Sequence, residues 1–339
     1  MATPEQAGVV VVGGGLAGGL LALELAAMGS PPWLVDAGPV GATALSYGLL
    51  PLTAIGPWLA LQRRHGPLGL RLRLARFHGL PAGLGRLPLP VAQVEASTLL
   101  EVLPRLLDAA GVRRLCGRVL APPRRLALGW RLEVTADPAD RVTPGSPVCL
   151  EAEQVVLAAG AACRSLWPAL PDGLRTSWAG VLELSQPPPW RMRWPAQVVL
   201  PWHFRRQELE QRAATLREPA SIVDAGLVPT GTAWLAGQLT LVPPDPAGPA
   251  PDPASMEASL RQGLNDFGAV PADAAGAYRQ VPVAFCTDGR PLVGPVEGAA
   301  GLWVFTGFSG AFSQVPPLLR PLATALASAA AQAGTPRRA

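Results

Sequence analysis

The stretch Gly8-Val9-Val10-Val11-Val12-Gly13-Gly14-Gly15-Leu16-Ala17-Gly18 decides the fold. A continuous β-branched run followed at once by glycines predicts a buried parallel strand and a tight turn. Leu16 to Met28 then reads as an Ala- and Leu-rich helix, ended by Gly29 and the Pro31-Pro32 pair. Trp33-Leu34-Val35-Asp36 reads as a second strand, which completes a βαβ unit. In this pattern Gly13 permits the turn and Gly15 lets a pyrophosphate approach the backbone. Gly18 lets the helix pack closely on the strand. The amides around Leu16 and Ala17, with the helix dipole, suit phosphate. Asp36 stands 18 residues after Gly18 and is followed by Ala37. A carboxylate there can accept hydrogen bonds from a ribose. The motif alone says dinucleotide and does not say which one.

The composition bounds the rest. A chain of 339 residues suffices for two modest domains or one large interrupted one. Hydrophobic residues make up 49%, so a sizeable core can form, and a net charge of +4 is too small to argue for nucleic acid. All 28 basic residues are arginine. Without lysine the chain has neither a GxxxxGK[ST] phosphate loop nor a Schiff-base amine. Cys116, Cys149, Cys163 and Cys286 form no CxxC pair, which argues against a zinc site or a redox dithiol and for a reduced, cytoplasmic protein. His65, His78 and His203 are scattered, so no metal is expected. Residues 8–28 are apolar but glycine-rich and lack a basic leader, and the apolar run 315–333 is broken by Pro316, Pro317, Arg320 and Pro321. Neither reads as a signal peptide or a membrane insertion.

Further along, residues 37–60 read as a loop leading into an irregular segment, and 63–90 resist assignment. Residues 95–110 read as a helix; Val112–Leu120, Trp130–Thr135, Glu153–Gly160, Gln197–Leu200, Ala233–Leu241 and Gly301–Thr306 read as strands. Ser255–Phe267 reads as a helix with Ser255 as N-cap. Strand–glycine–helix chemistry opens the chain and returns after residue 300, around a more antiparallel middle. The expected fold is therefore α/β: a discontinuous Rossmann-like domain with an inserted, mainly antiparallel sheet domain. The expected boundaries are 1–60, 91–178 and 280–339 for the nucleotide-binding domain, and 61–90 and 179–279 for the substrate domain.

Four segments carry a resemblance. They are the glycine turn, Gly41-Ala42-Thr43-Ala44-Leu45-Ser46, the strand Val155–Gly160, and a late pair. That pair reads Thr287-Asp288-Gly289-Arg290-Pro291-Leu292-Val293-Gly294 and Gly301-Leu302-Trp303-Val304-Phe305-Thr306-Gly307-Phe308-Ser309-Gly310. The pair is similar to the DG-x-P-x-x-G and TG-x-SG pattern of the FAD-dependent amine and amino-acid oxidases, the family of glycine oxidase, D-amino-acid oxidase and sarcosine oxidase. The resemblance implies an FAD cofactor and oxidation of a small-molecule amine or amino acid by hydride transfer to flavin. It implies cofactor contacts at Ala44 and Ser46, at the Val119 backbone (adenine), at Ala159 and Gly160, and at Gly289. It also implies contacts at Gly307, Phe308, Ser309, Gly310 and Ala311, with the final helix aimed at the flavin's pyrimidine edge.

The departures concern the substrate. Amino-acid oxidases of this family commonly carry an arginine five residues before the matched aspartate, as a carboxylate clamp; here Val283 stands there. Arg279, four residues upstream in a strand, would lie about 13 Å away. Phe308 fills a position often polar in the family. Tyr278, Arg279, Arg290 and Phe308 are the residues that could meet a substrate, though Tyr278 reads equally as core and Arg290 as a solvated loop residue. Cys286 reads as a small core residue. Trp190, Trp194, Trp202 and Trp234 read as pocket walls or core. Two alternatives stand beside the oxidase: a flavoprotein with a non-amino-acid substrate or no turnover, and an NAD-binding protein without flavin.

Overall fold

The structure, a computed structural model, describes residues 4–38, 41–79, 88–136, 147–186, 198–267 and 270–333. Trp190 and Trp194 lie outside them. The chain divides into two compact units, Met1–Val40, Leu103–Leu174 and Arg290–Ala339 forming the first, Gly41–Val102 and Arg175–Gly289 the second.

In the first unit, β1 (Glu5–Val12), α1 (Leu16–Ala27) and β2 (Trp33–Asp36) make the expected βαβ start. Leu16, Gly18, Gly19 and every residue from Leu20 to Leu25 are buried, so α1 is enclosed on nearly all sides. Gly29 ends it with φ +82°. The Gly29 N–H bonds the Ala26 carbonyl at 2.9 Å and the Ser30 N–H the Leu25 carbonyl at 3.0 Å, the paired closure of a Schellman motif. The chain passes through the second unit as β3 (Leu49–Leu50), α2 (Ile55–His65), β4 (Leu70–His78) and β5 (Leu89–Val94). After α3 (Ala96–Ala109) come β6 (Arg113–Val119), β7 (Arg124–Arg125), β8 (Trp130–Ala136), β9 (Val148–Leu157) and α4 (Cys163–Leu166). The second unit resumes with β10 (Leu174–Leu184), β11 (Val198–Pro201), α5 (Arg206–Gln211), β12 (Ala220–Thr230), β13 (Ala233–Val242), α6 (Pro253–Asp266) and β14 (Ala277–Cys286). β15 (Leu292–Pro295), β16 (Leu302–Thr306) and α7 (Ala311–Ala333) complete the first unit.

The first sheet runs β15-β16-β9-β1-β2-β6-β8-β7. Its centre is parallel from β16 to β6, and antiparallel strands finish it at β15, β8 and β7. The second sheet runs β14-β10-β13-β12-β11-β4-β5-β3; β10–β13, β13–β12, β12–β11, β4–β5 and β5–β3 pair antiparallel, and β11–β4 parallel. This is a discontinuous Rossmann-like unit with an inserted, mainly antiparallel sheet. Segments 41–60, 91–102 and 280–289 fall in the inserted unit, because β3, β5 and β14 pair within its sheet.

One cap differs from expectation. α6 is capped by Asp252, whose Oδ2 accepts the Ser255 N–H at 2.9 Å, with Pro253 opening the helix. Proline presets φ at the first position and needs no donor, so the cap falls on the residue before it and Ser255 is inside the helix. Met256, Leu260 and Leu264 of α6 pack with Leu182, Leu227 and Ala236 of the sheet. No helix among the described residues is long and apolar enough to cross a membrane.

Candidate functional site

The site is built where adjacent parallel strands β16, β9, β1 and β2 end. From β1 the chain crosses to β2 on one side, and after β9 this sheet resumes with β15 and β16 on the other; ligands of open α/β sheets bind at such a switch point. Gly13 leaves β1 at φ +110°, and a Cβ on it would come within 2.5 Å of the Ala158 carbonyl oxygen. Its N–H bonds the Val35 carbonyl at 2.7 Å. A Cβ on Gly18 would overlap the Gly13 carbonyl oxygen and press on Ala158. The sequence reading leaves out Gly14: a Cβ there would fall 2.5 Å from the Asp36 carboxyl carbon. The middle glycine of the triple run is thus needed by the carboxylate. Gly15 is the N-cap of α1, which has neither a capping side chain nor an acidic residue in its first turn. The helix start beside Leu16 and Ala17 therefore offers backbone donors and a positive dipole end to an anion. These residues fit a pyrophosphate.

Asp36 closes β2 beside this turn. Backbone N–H groups of Gly14, Gly38 and Ala37 and the charge of Arg114 draw its pKa down, but burial outweighs them and holds it above the ordinary carboxylate range. A desolvated carboxylate of this kind gains from further donors. It opens onto a cavity of about 380 Å³ lined by Asp36, Ala37, Gly38, Cys116, Gly117, Arg118, Leu120 and Thr135. Val119 lies between the lining residues Arg118 and Leu120, in register with Val134 of β8. Cys116 is exposed and is a residue sequence reasoning does not single out.

At the end of β16, the Thr306 hydroxyl donates to the Gly160 carbonyl at 3.2 Å, which joins this strand end to the turn after β9. Ala159 leads into Gly160, at φ +57°. Gly307, at φ +82°, turns the chain toward α7. Phe308 is buried, its ring edge-on to Phe305 at 5.0 Å. Ser309 and Gly310 precede the helix, which begins at Ala311. The Gly310 N–H is taken by the Gln314 side chain at 3.0 Å, and the Gly310 carbonyl accepts the Ser313 and Gln314 N–H groups.

The remaining expected residues fall mostly in the second unit. Ala44 lies in a tight turn, its N–H on the Gly41 carbonyl at 3.0 Å, and the Ser46 hydroxyl oxygen accepts the Gly48 N–H at 3.2 Å. Tyr278 is half-buried: its ring lies over Gly180 and packs with the α6 cluster. Its hydroxyl donates to Gln280 Oε1 at 3.0 Å, and burial, with the charge of Glu257, pushes its pKa up to about 12. Arg279 is exposed, 3.6 Å from Glu183 in a surface ion pair. Val283 is half-buried. Gly289, at φ +73°, turns after β14, its N–H on the Cys286 carbonyl at 2.9 Å, and Cys286 is buried. Arg290 is exposed and opens the last segment of the first unit. Trp234 packs against the α6 cluster, and Trp202 is exposed, edge-on to Phe77 at 5.6 Å. No group of three or more His, Cys, Asp or Glu side chains converges among the described residues.

No family model matches this chain, and no curated protein matches it in sequence. Solved structures do. A glycine oxidase from Geobacillus kaustophilus is similar over 98% of this chain and 96% of its own, at 18% identity and a TM-score of 0.62. An iminodiacetate oxidase from Chelativorans sp. BNC1 is similar over 94% and 95%, at 18% identity and 0.62. NikD, an unusual amino acid oxidase essential for nikkomycin biosynthesis, is similar over 98% and 95%, at 16% identity and 0.63. The chain therefore has the two-unit fold of these oxidases over nearly its whole length.

Proposed function

We propose that the protein is an FAD-dependent oxidoreductase that removes hydride from a C–H bond next to nitrogen in a small amine or amino acid. The carrying observation is the glycine turn, which leaves no room for a Cβ at Gly13 against Ala158, at Gly18 against Gly13, or at Gly14 against the half-buried Asp36. Bound FAD supplies the hydride acceptor. The amides at Gly15–Gly18 and the α1 dipole hold the pyrophosphate, and Asp36 accepts from the ribose. The cavity beside Asp36, with the backbone around Val119, takes the adenine. Ala159, Gly160 and the 307–311 turn of the first unit would meet the rest of the cofactor, and the family resemblance adds Ala44, Ser46 and Gly289. The N-terminal end of α7 would offer a positive dipole end to negative charge on the bound cofactor. The oxidases of like fold named above support the same assignment by analogy.

A narrower reading of the substrate has its own support. Val283 cannot bind a carboxylate, and the Arg279 guanidinium is already beside Glu183. Both favour an amine without a clamped carboxylate over an amino acid. The test is an anaerobic titration of the yellow protein with a panel of amines, glycine, sarcosine and D-amino acids. Bleaching of flavin absorption by simple amines supports this reading. Bleaching only by amino acids rejects it and leaves the broader assignment. A protein with no flavin absorption, before or after FAD addition, rejects both.

The adenine assignment has a separate check. Exposed Cys116 lines the cavity, whereas Cys163 is buried, its thiol pushed up to about 11 by that burial. Iodoacetamide is expected to label Cys116 in the apo protein, and saturating FAD to slow that labelling at least tenfold. Equal rates with and without FAD would move the adenine elsewhere.

A further inference from the structure

We infer that Gln93 is a positioning residue that, with Tyr47, sets the place of the Ala44–Gly48 segment; this rests on the reading of Ala44 and Ser46 as cofactor contacts. Gln93 is 1% exposed, yet it stands in β5 on the sheet face made by Tyr47, Leu49, Val91 and Val228. A buried amide on an apolar face is costly unless its hydrogen bonds are made. Its Nε2 donates to the Tyr47 carbonyl at 3.1 Å and to the Pro229 carbonyl at 2.9 Å. Its Oε1 accepts from Arg73 Nε at 3.0 Å.

These bonds join parts that strand pairing does not. β3, which follows Tyr47, is the edge strand, and β12, which carries Pro229, lies four places away in the sheet order. The Tyr47 hydroxyl makes the same span independently, donating to the Gly226 carbonyl of β12 at 3.2 Å. Tyr47 is partly buried, and desolvation, with the charge of Asp224, holds its pKa well above the ordinary phenol value. The segment is also held along β5, where the Val94 N–H bonds the Gly48 carbonyl at 2.8 Å and Leu49 stands opposite Gln93.

Gln93 is itself braced. Arg73 reaches Glu95 with NH2 at 2.5 Å, and Glu95 also takes Arg71 Nε at 2.7 Å and the Thr98 hydroxyl at 3.2 Å. The amide therefore has one orientation, its two N–H groups toward carbonyls and its oxygen toward a cation. Within the segment, the Ser46 hydroxyl oxygen accepts the Gly48 N–H at 3.2 Å, which leaves its O–H able to donate.

The test compares Gln93→Leu, Tyr47→Phe and a control, Gln154→Leu. Gln154 is 4% exposed and bonds the Leu326 carbonyl, both in the first unit, whereas residues 44–48 belong to the second. Hydrogen exchange of the 44–48 amides in the apo protein reads the positioning directly. Visible circular dichroism of the bound flavin and the FAD dissociation constant read its consequence. Gln93→Leu should speed exchange in 44–48 and change the flavin dichroism. It should also weaken FAD about tenfold, the size of two lost buried hydrogen bonds. Tyr47→Phe should do the same more weakly, and Gln154→Leu should lower the Tm while leaving all three readouts unchanged. Unchanged exchange at 44–48 in both Gln93→Leu and Tyr47→Phe overturns the proposal, as does the same flavin change in Gln154→Leu. A wild-type protein that takes up no FAD refutes the cofactor reading instead, and the exchange measurement still decides the role of Gln93.

Discussion

Gly18→Val should yield a protein that no longer retains FAD and that unfolds at markedly lower denaturant than wild type. The first atom of any side chain at this position overlaps the Gly13 carbonyl oxygen, a backbone atom that cannot rotate away. Relief requires α1 to move off β1. Gly13 is itself confined, by its bond to the Val35 carbonyl and by the nearness of Ala158. The helix is buried on nearly all sides, so a shift disturbs its packing with α7 as well. Overpacking of a core costs about 1–3 kcal/mol, and a clash with backbone belongs at or above the top of that range. The amides at the start of α1 move with the helix, so cofactor binding fails together with stability. A urea melt and the flavin absorption of the purified variant check both halves. A Gly18→Val protein that purifies yellow with a wild-type midpoint would contradict the geometry.

Asp36→Ala should lose FAD affinity by about 100-fold with little change in fold, the size of hydrogen bonds to one charged group. The carboxylate also gives a pH signature. Its folded pKa lies above its unfolded value, so its contribution to stability is fully present below the unfolded value. That contribution is lost as pH rises through the folded one. Apo wild type should therefore lose stability over this window relative to Asp36→Asn, which has no such titration. FAD should reverse the comparison at neutral pH, because ribose hydroxyls donate to the ionised form. Denaturant melts of both proteins from pH 4 to 7, with and without FAD, provide the check. Parallel stability curves in the apo proteins would mean that Asp36 is not desolvated.

The βαβ start was legible because strand, turn, helix cap and carboxylate all fall within thirty residues, and each is specified by local chemistry. Gly14 was not, since its need arises only when Asp36 comes to rest against it. The inserted unit was harder to read for a physical reason visible in β4. Leu70-Arg71-Leu72-Arg73-Leu74 alternates as a strand should, but its leucines would be expected inside. Instead Leu72 is 65% exposed and Arg73 turns to buried Gln93 and Glu95. The partners that invert the face lie twenty residues on, in β5. α2 was missed because it buries only Trp58 and Leu61 and contains Pro57. Tyr278 reads equally as pocket or core, and the structure places it half-buried over Gly180.

The division of the first unit into three stretches also bears on how the protein is made. β1, α1 and β2 leave the ribosome early, but β16, which completes the parallel run beside β9, and α7, which covers α1, emerge only after the inserted sheet. Chains are synthesised at about 5–20 residues per second, so the glycine turn waits tens of seconds for its covering elements. During that interval α1 packs on β1 and β2 but lacks α7, and the glycine turn lacks the neighbouring strand end of β16. The same interleaving forbids cutting the molecule into two working halves at any single peptide bond.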